Sequence, residues 1–348
     1  MIKPKKILEK IKPYVPGEQP QEKGFIKLNT NENSYPPPLK VVKAIKYALN
    51  GRLNIYPDPQ CTQLRKTVAK FYKLKPEQII IGNGSDELLK MIILSFVDNN
   101  ESVGFLYPSY VLYKTLAETY GSKINEYRLE TDYSLPEEVF QVKDKVFFIA
   151  NPNPPLGTFY PLNEIERIIK GASGLVVLDE AYVDFSVSNG LNLINKYDNL
   201  IVTRSFSKSF SLAGMRIGIG FGNEKLISIL NKVKDSYNVN VLSQVAANAV
   251  YVNYNRVKQT TDRVISNREY LRDKLIKMGI EVPESGANFI FAKVKNPKCV
   301  YEQLKKRKIL VRYFNAPMMN DGLRMTIGTR KQVNVLLKEF KNIIFDNP

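Results

Sequence analysis

The chain contains no histidine and no tryptophan, and its two cysteines, Cys61 and Cys299, lie far apart. Without histidine there is no Ser-His nucleophile pair and none of the usual zinc sites. Isolated cysteines give neither a disulfide framework nor a CxxC metal pattern, which suits a reducing compartment. No apolar run approaches a membrane span, and the opening MIKPKKILEKIKPYVPG is basic without a continuous apolar segment of signal-peptide length. These absences lead to the expectation of a soluble, cytoplasmic protein with no metal.

What is present is bulk and positive charge. At 348 residues, 44% of them hydrophobic, the chain is long enough for a large core and for two domains. A net charge of +17 suits nucleic acid when the basic residues cluster. Here they are scattered, as in KVKNPKCVYEQLKKRK (293–308), with no helix-turn-helix or RNP-like signature. The charge is read as a solvated surface with a preference for anionic small molecules, so neither nucleic acid nor membrane is expected as a partner.

The middle of the chain alternates short apolar runs with helix-like segments, the pattern of βαβ units on a parallel sheet. KVFFIA (145–150), GLVVLD (174–179) and NLIVTR (199–204) read as buried strands. Ligands in open α/β sheets collect beyond the carboxyl ends of the strands, so NPNPPLG, DEAY and SFSK face one potential crevice. The stretch 255–279 is amphipathic, with Val257, Val264, Leu271 and Leu275 near helical spacing and Gly279 as a stop. It reads as a bridge to a smaller α+β domain with strands NFIFAKV (288–294) and LRMTIGT (323–329). The expected division is an N-terminal arm with part of the small domain at 1–42, a large α/β domain at 43–250 and a small C-terminal domain at 251–348.

Three stretches carry chemistry. In SFSKSFSLAGMRIG (205–218), Lys208 sits among Ser, Phe, Leu, Ala and Gly, neighbours that favour burial rather than a charged surface. Burying a lysine disfavours its ammonium form and is one route to a nucleophile, and a nearby cation such as Arg216 acts the same way. A flexible lysine in a serine-rich surface loop is the competing reading. Asp179 closes an apolar strand, where an unpaired carboxylate is costly and wants a cation; capping the following turn is the plainer role. In IIIGNGSDELLKMIILSF (79–96) a strand runs into Gly82-Asn83-Gly84-Ser85 and an amphipathic helix, aiming backbone N–H groups at an anion. Ser85 as an ordinary N-cap is equally compatible with that segment.

These blocks, together with PYVPG (13–17), KLNTNEN (27–33), YPDPQCTQLRKTVAKFY (56–72), YPSY (107–110), LDEAYVDF (178–185), ANF (287–289) and LRMTIGTR (323–330), follow one another at familiar spacing. The sequence resembles the fold-type I aminotransferases that use pyridoxal 5'-phosphate, and within them is most similar to the histidinol-phosphate aminotransferase family. The resemblance implies a large domain with a mainly parallel sheet flanked by helices, a smaller α+β domain, and a homodimer. It implies that Lys208 forms the Schiff base and shuttles the proton, with Asp179 on the pyridine nitrogen, Tyr110 on the ring face and Tyr182 on the phenolic oxygen. The phosphate falls to Ser85, Asp86, Ser205, Ser207 and Arg216, with Tyr56 reaching the partner subunit's cofactor. Tyr14, Asn29, Arg312 and Arg324 are the substrate-side residues, although surface arginines on a small sheet would read the same. The family's NPNNPTG loop departs here, with Pro154 where an asparagine bonds the phenolic oxygen and Leu156 in place of threonine; Asn153 is the amide left to fill that role. The implied substrates are an amino donor and a 2-oxo acid, L-histidinol phosphate with 2-oxoglutarate. An aromatic amino acid aminotransferase, a threonine-phosphate decarboxylase or an aminotransferase-like ligand sensor remain open at this point.

Overall fold

A computed structural model describes residues 2–3, 6–9, 11, 17–51 and 53–346, so Tyr14 lies outside the described residues. A two-residue strand, β1 (Ile26–Lys27), and the helices α1 (Leu39–Leu49) and α2 (Thr62–Tyr72) precede a seven-stranded sheet. Its strands are β2 (Ile79–Gly82), β3 (Ser102–Tyr107), β4 (Lys123–Arg128), β5 (Val146–Ala150), β6 (Leu175–Asp179), β7 (Leu200–Ser205) and β8 (Gly218–Gly222), in the order β2-β8-β7-β6-β5-β3-β4. β4, β3, β5, β6 and β7 are mutually parallel, while β8 runs antiparallel to both β7 and β2.

The sequence explains this arrangement. VFFIA, LVVLD and LIVTRS are buried at every position, the continuous apolar run that a strand covered on both faces requires. β4, KINEYR, carries charges and has no fully buried residue, which suits an edge strand that must not pair with another chain. The strands expected at 145–150, 174–179 and 199–204 form within one residue of those bounds. The helices α3 (Ser85–Phe96), α4 (Leu112–Tyr120), α5 (Leu162–Gly171), α6 (Glu224–Val233) and α7 (Val241–Val252) complete this region. One apolar core lies on each side of the sheet.

A third core gathers around a second sheet. β9 (Phe289–Lys293), α9 (Pro297–Lys306), β10 (Ile309–Leu310), β11 (Arg312–Tyr313), β12 (Gly322–Thr326) and α10 (Arg330–Asp346) follow in sequence, with the antiparallel order β11-β12-β9. β1 pairs parallel with β10, which brings the N-terminal segment onto this unit. Between the two regions runs α8 (Tyr254–Ile276), with its turn beyond ending at Gly279 in the left-handed conformation, φ 79°. Val257 packs in the large core, whereas Val264, Leu271 and Leu275 pack in the small one.

Directly after Asp179 and Thr203 the sheet buries an ion pair. Arg204 Nε and Nη2 both donate to Glu180 Oε2, at 2.9 and 2.7 Å, with both residues buried. Burial pushes the Glu180 carboxyl up, against the pull of Arg204. Removing one partner strands the other charge, which typically costs about 3–5 kcal/mol. Arg204→Met should therefore lower the denaturant midpoint by that free energy, and adding Glu180→Gln should recover much of it; an unchanged midpoint in the single variant would contradict the burial argument.

Candidate active site

The carboxyl ends of β3, β5, β6 and β7 point to one edge of the sheet, and β2, parallel to β7 through the intervening β8, ends there as well. Their loops and the second sheet enclose a cavity of about 910 Å³. It is lined by Ser85, Asp86, Tyr110, Asp179, Tyr182, Ser205, Ser207, Lys208, Arg216, Asn29, Arg312 and Arg324. Of the described residues singled out in the sequence, two are elsewhere. Tyr56 is exposed and stacks on Tyr237, with ring centroids 4.3 Å apart. Asn153 is fully buried behind the wall, its Nδ2 donating to Pro108 O at 2.9 Å and its Oδ1 accepting from Ser109 Oγ at 2.6 Å. Asn153 thus does not line the cavity, and one of its two amide hydrogens is engaged by Pro108; Pro154 itself lines the cavity.

At one end the backbone makes an anion cradle. Gly82 and Ser205 both pair with Gly218, so three strand ends lie side by side. A Cβ on Gly218 would come 2.4 Å from Ser85 N, and one on Gly84, whose φ is 85°, would come 2.7 Å from Arg216 Nη2. Only glycine lets the start of α3 and the Arg216 guanidinium approach so closely. The first N–H groups of a helix have no intrahelical acceptor, and Gly84 provides no side-chain cap. Arg216 is aimed by Asp86 Oδ2 at 3.1 Å and donates to Ser207 Oγ at 3.3 Å. The expectation that Arg216 serves as a second cation for Lys208 is thus refined: its ion pair is with Asp86.

Asp179 lies deeper. Its Oδ2 accepts from Tyr113 OH at 2.8 Å and its Oδ1 from Ala181 N at 3.1 Å. Among the described residues no ion pair includes it. Burial pushes its carboxyl up to about 6 from an ordinary 3.8, with the two donors acting the other way. Tyr113 was not singled out in the sequence; it is fully buried on α4, stacked on Phe148.

Lys208 occupies the turn after β7 and is half-buried rather than buried, its Nζ 5.3 Å from the centroid of the Tyr182 ring. Tyr182 OH accepts from Asn31 Nδ2 at 3.1 Å. Glu32, on the same segment, also lines the cavity; burial raises its carboxyl, but hydrogen bonds from Lys27 and Thr30 outweigh this and hold it below the usual range.

At the far end Arg312 and Arg324 face each other in register across β11 and β12. Both side chains line the cavity. Arg324 Nη2 donates to Asn29 O at 2.7 Å, and its guanidinium carbon sits 5.4 and 5.3 Å from the rings of Phe289 and Phe314. The cavity thus gathers the N-terminus of α3 with Arg216, a buried carboxylate, the Lys208 amine and the Arg312 and Arg324 side chains.

The sequence model of the aminotransferase class I and II family matches residues 23–340, and the chain belongs to that family. Histidinol-phosphate aminotransferase of Microcystis aeruginosa is 42% identical over 96% of this chain and 96% of its own, and that of Geotalea daltonii 41% identical over 96% and 97%. Among solved structures, histidinol-phosphate aminotransferase from Sinorhizobium meliloti, in complex with pyridoxal-5'-phosphate, superposes with a TM-score of 0.86 at 22% identity, covering 92% of this chain and 91% of that one. The same enzyme from Clostridium acetobutylicum gives 0.85 at 23%, covering 92% and 99%. These structures share the α/β fold with its mainly parallel central sheet.

The raised carboxyl makes a stability signature. With folded Asp179 titrating near 6 and unfolded aspartate near 3.8, its contribution is fully present below about pH 4 and is lost as pH rises through 6, since the folded state holds the proton longer. Protein stripped of small molecules should lose about 3 kcal/mol across that window relative to Asp179→Asn. Urea unfolding at successive pH values of both proteins measures it, and parallel curves would rule it out.

Proposed function

We propose that the chain is a pyridoxal-phosphate-dependent transaminase that moves the amino group of L-histidinol phosphate to 2-oxoglutarate, giving imidazole acetol phosphate and glutamate in histidine biosynthesis. The observation that carries this reading is one cavity that gathers Lys208, the Asp179 carboxylate, the α3 N-terminus with Arg216, and Arg312 with Arg324. The curated relatives at about 40% identity over nearly the full length support the substrate pair over the aromatic aminotransferase and decarboxylase alternatives. The cradle at Ser85, Asp86, Ser205, Ser207 and Arg216 fits a phosphate, and the protonated nitrogen of a pyridine ring answers the need of Asp179 for a positive partner. When bound, pyridoxal phosphate supplies the electron sink for bonds broken at the carbon that bears the amino group.

Within that frame each side chain has a task. Lys208 would anchor the cofactor through Nζ and, once released, take the proton from the substrate carbon. Asp179 would hold the proton at the ring nitrogen, its own charge oriented by Tyr113 and Ala181. Tyr110, its hydroxyl tied to Asp86 Oδ1 at 3.2 Å, would cover one ring face. With proline at position 154, Tyr182 would carry the contact to the ring oxygen. Arg324 and Arg312 take the distal anion, with Asn29 placing Arg324. Tyr14 is read as a further substrate contact.

We further read residues 43–250 as the cofactor-binding domain and 251–348, joined by 1–42, as the small one, supported by the division of the cores. A homodimer in which Tyr56 reaches the partner's cofactor is supported by the exposed apolar residues Leu39, Tyr47, Leu53, Ile55 and Tyr56. We read the enzyme as cytoplasmic, supported by its biosynthetic relatives; no helix among the described residues is long and apolar enough to cross a membrane.

The test mixes the yellow holoenzyme with L-histidinol phosphate, threonine phosphate or phenylalanine. Only the first should convert the cofactor absorbance rapidly, with 2-oxoglutarate restoring it. Lys208→Ala should reduce turnover by at least about a thousandfold, and borohydride should no longer fix the cofactor to the peptide around residue 208. Arg324→Ala should lower kcat/KM for phosphate-bearing donors by about 1.5–3 kcal/mol, the value of a hydrogen bond to a charged group, while a neutral amine is little affected. Equal losses for both amines would remove Arg324 from the anion site.

A further inference from the structure

The segment 29–35 crosses from the small sheet to the lysine turn, and every second residue of its first half is engaged. The carbonyl of Asn29 accepts from Arg324 Nη2. Asn31, in the left-handed conformation with φ 57°, donates its backbone N–H to Thr326 Oγ1 at 3.0 Å, accepts at its Oδ1 from the same hydroxyl, and gives its Nδ2 to Tyr182. The carbonyl of Asn31 accepts from Asn288 Nδ2, and Ser34 Oγ donates to Ile327 O. The segment is therefore fixed to β12 and its neighbours.

Asn33 is where this strap meets the lysine. Its Nδ2 donates both hydrogens, one to the carbonyl of Lys208 at 3.1 Å and one to that of Ser209 at 3.2 Å. Its Oδ1 accepts from Tyr35 N at 3.1 Å, an Asx turn that sets the plane of the amide. On the other side the Ser209 hydroxyl donates to Asp184. The peptide that carries the Lys208 side chain is thus held from two directions by groups that do not line the cavity.

We propose that Asn33 is a positioning residue for Lys208, fixing the backbone of the lysine turn so that the amine is delivered to the reacting carbon. This rests on the reading of Lys208 given above. An amide is required: two adjacent carbonyls need two N–H donors in one plane, which asparagine supplies and aspartate, acceptor-only when ionised, does not. A displacement of the order of 1 Å in a reacting group costs about a hundredfold, so loss of the tether shows in the chemical step rather than in binding.

The experiment compares Asn33→Ala and Asn33→Asp with the parent enzyme. Both variants should lower kcat with L-histidinol phosphate by about tenfold to a hundredfold, while KM for the donor changes little. In cofactor-free protein, deuterium exchange of the peptide spanning 205–212 should accelerate while exchange of β5 and β6 stays as it was. In a Lys208→Ala background supplied with ethylamine, a free base that no backbone holds, adding Asn33→Ala should cause no further loss. An equal loss in that background, an unchanged kcat, or unchanged exchange of 205–212 overturns the proposal; where no amine rescues, exchange and the kcat-against-KM division decide. If alanine prevents folding, the aspartate variant, which keeps the turn at Tyr35, is taken through the same measurements. Should Lys208→Ala retain full turnover without added amine, the fault lies in the reading of Lys208 itself, a result separable from failure of the Asn33 tether alone.

Discussion

The buried carboxylate of Asp179 is the constraint on which the rest of the site depends. Placing it at the end of an all-apolar strand removes it from water, and the structure compensates with two hydrogen bonds but no cation among the described residues. Desolvation still dominates, as the raised carboxyl shows. The residual demand for positive charge is what the proposed reading answers with a protonated ring nitrogen. Because the carboxylate is fixed by Tyr113 and the Ala181 N–H, its direction is set before anything binds.

Around that point the cavity collects cationic groups by different means. The first is backbone and geometry: glycines 84 and 218 admit the start of α3 and Arg216 to within a distance that a Cβ would forbid. The second is the register that sets Arg312 opposite Arg324 across β11 and β12. Lys208 lies on the loop that joins β7 to the antiparallel β8. That reversal is informative, because a parallel continuation would have required a helical crossover, whereas the short return keeps Lys208 and Arg216 on one loop, directly after Ser205 and beside Gly82.

Much of this was legible in the chain. The parallel strands, the long bridging helix and the small sheet follow from apolar runs and periodicity. Lys208, Asp179, Arg216 and Arg324 carry local signals or resemble family positions. What was not legible is pairing across distance. Tyr113 meets Asp179 across 66 residues and Asn33 meets Lys208 across 175, and neither separation leaves a mark on hydrophobic pattern or turn chemistry. Asn153 shows a related limit. Nothing in NPNPPLG signals that one of its amide hydrogens is engaged by the carbonyl of Pro108 and its oxygen by Ser109. The KLNTNEN stretch read as a family signature; its tethering role becomes visible only when Thr326, Tyr182 and the lysine turn are seen to surround it.

The long helix α8 has a mechanical meaning of its own. Its first turns are seated in one core and the remainder in another, with Arg268 Nη1 bonded to the carbonyls of both Phe185 and Ala287. Its 23 residues make a rod about 35 Å long. Such a rod acts as a lever: a tilt of about 3° at the end held by Val257 sweeps the opposite end through about 2 Å. The arginines ride on the sheet whose strand β9 packs against that far arm, so α8 and the strap at 29–35 together hold the small sheet against the lysine turn.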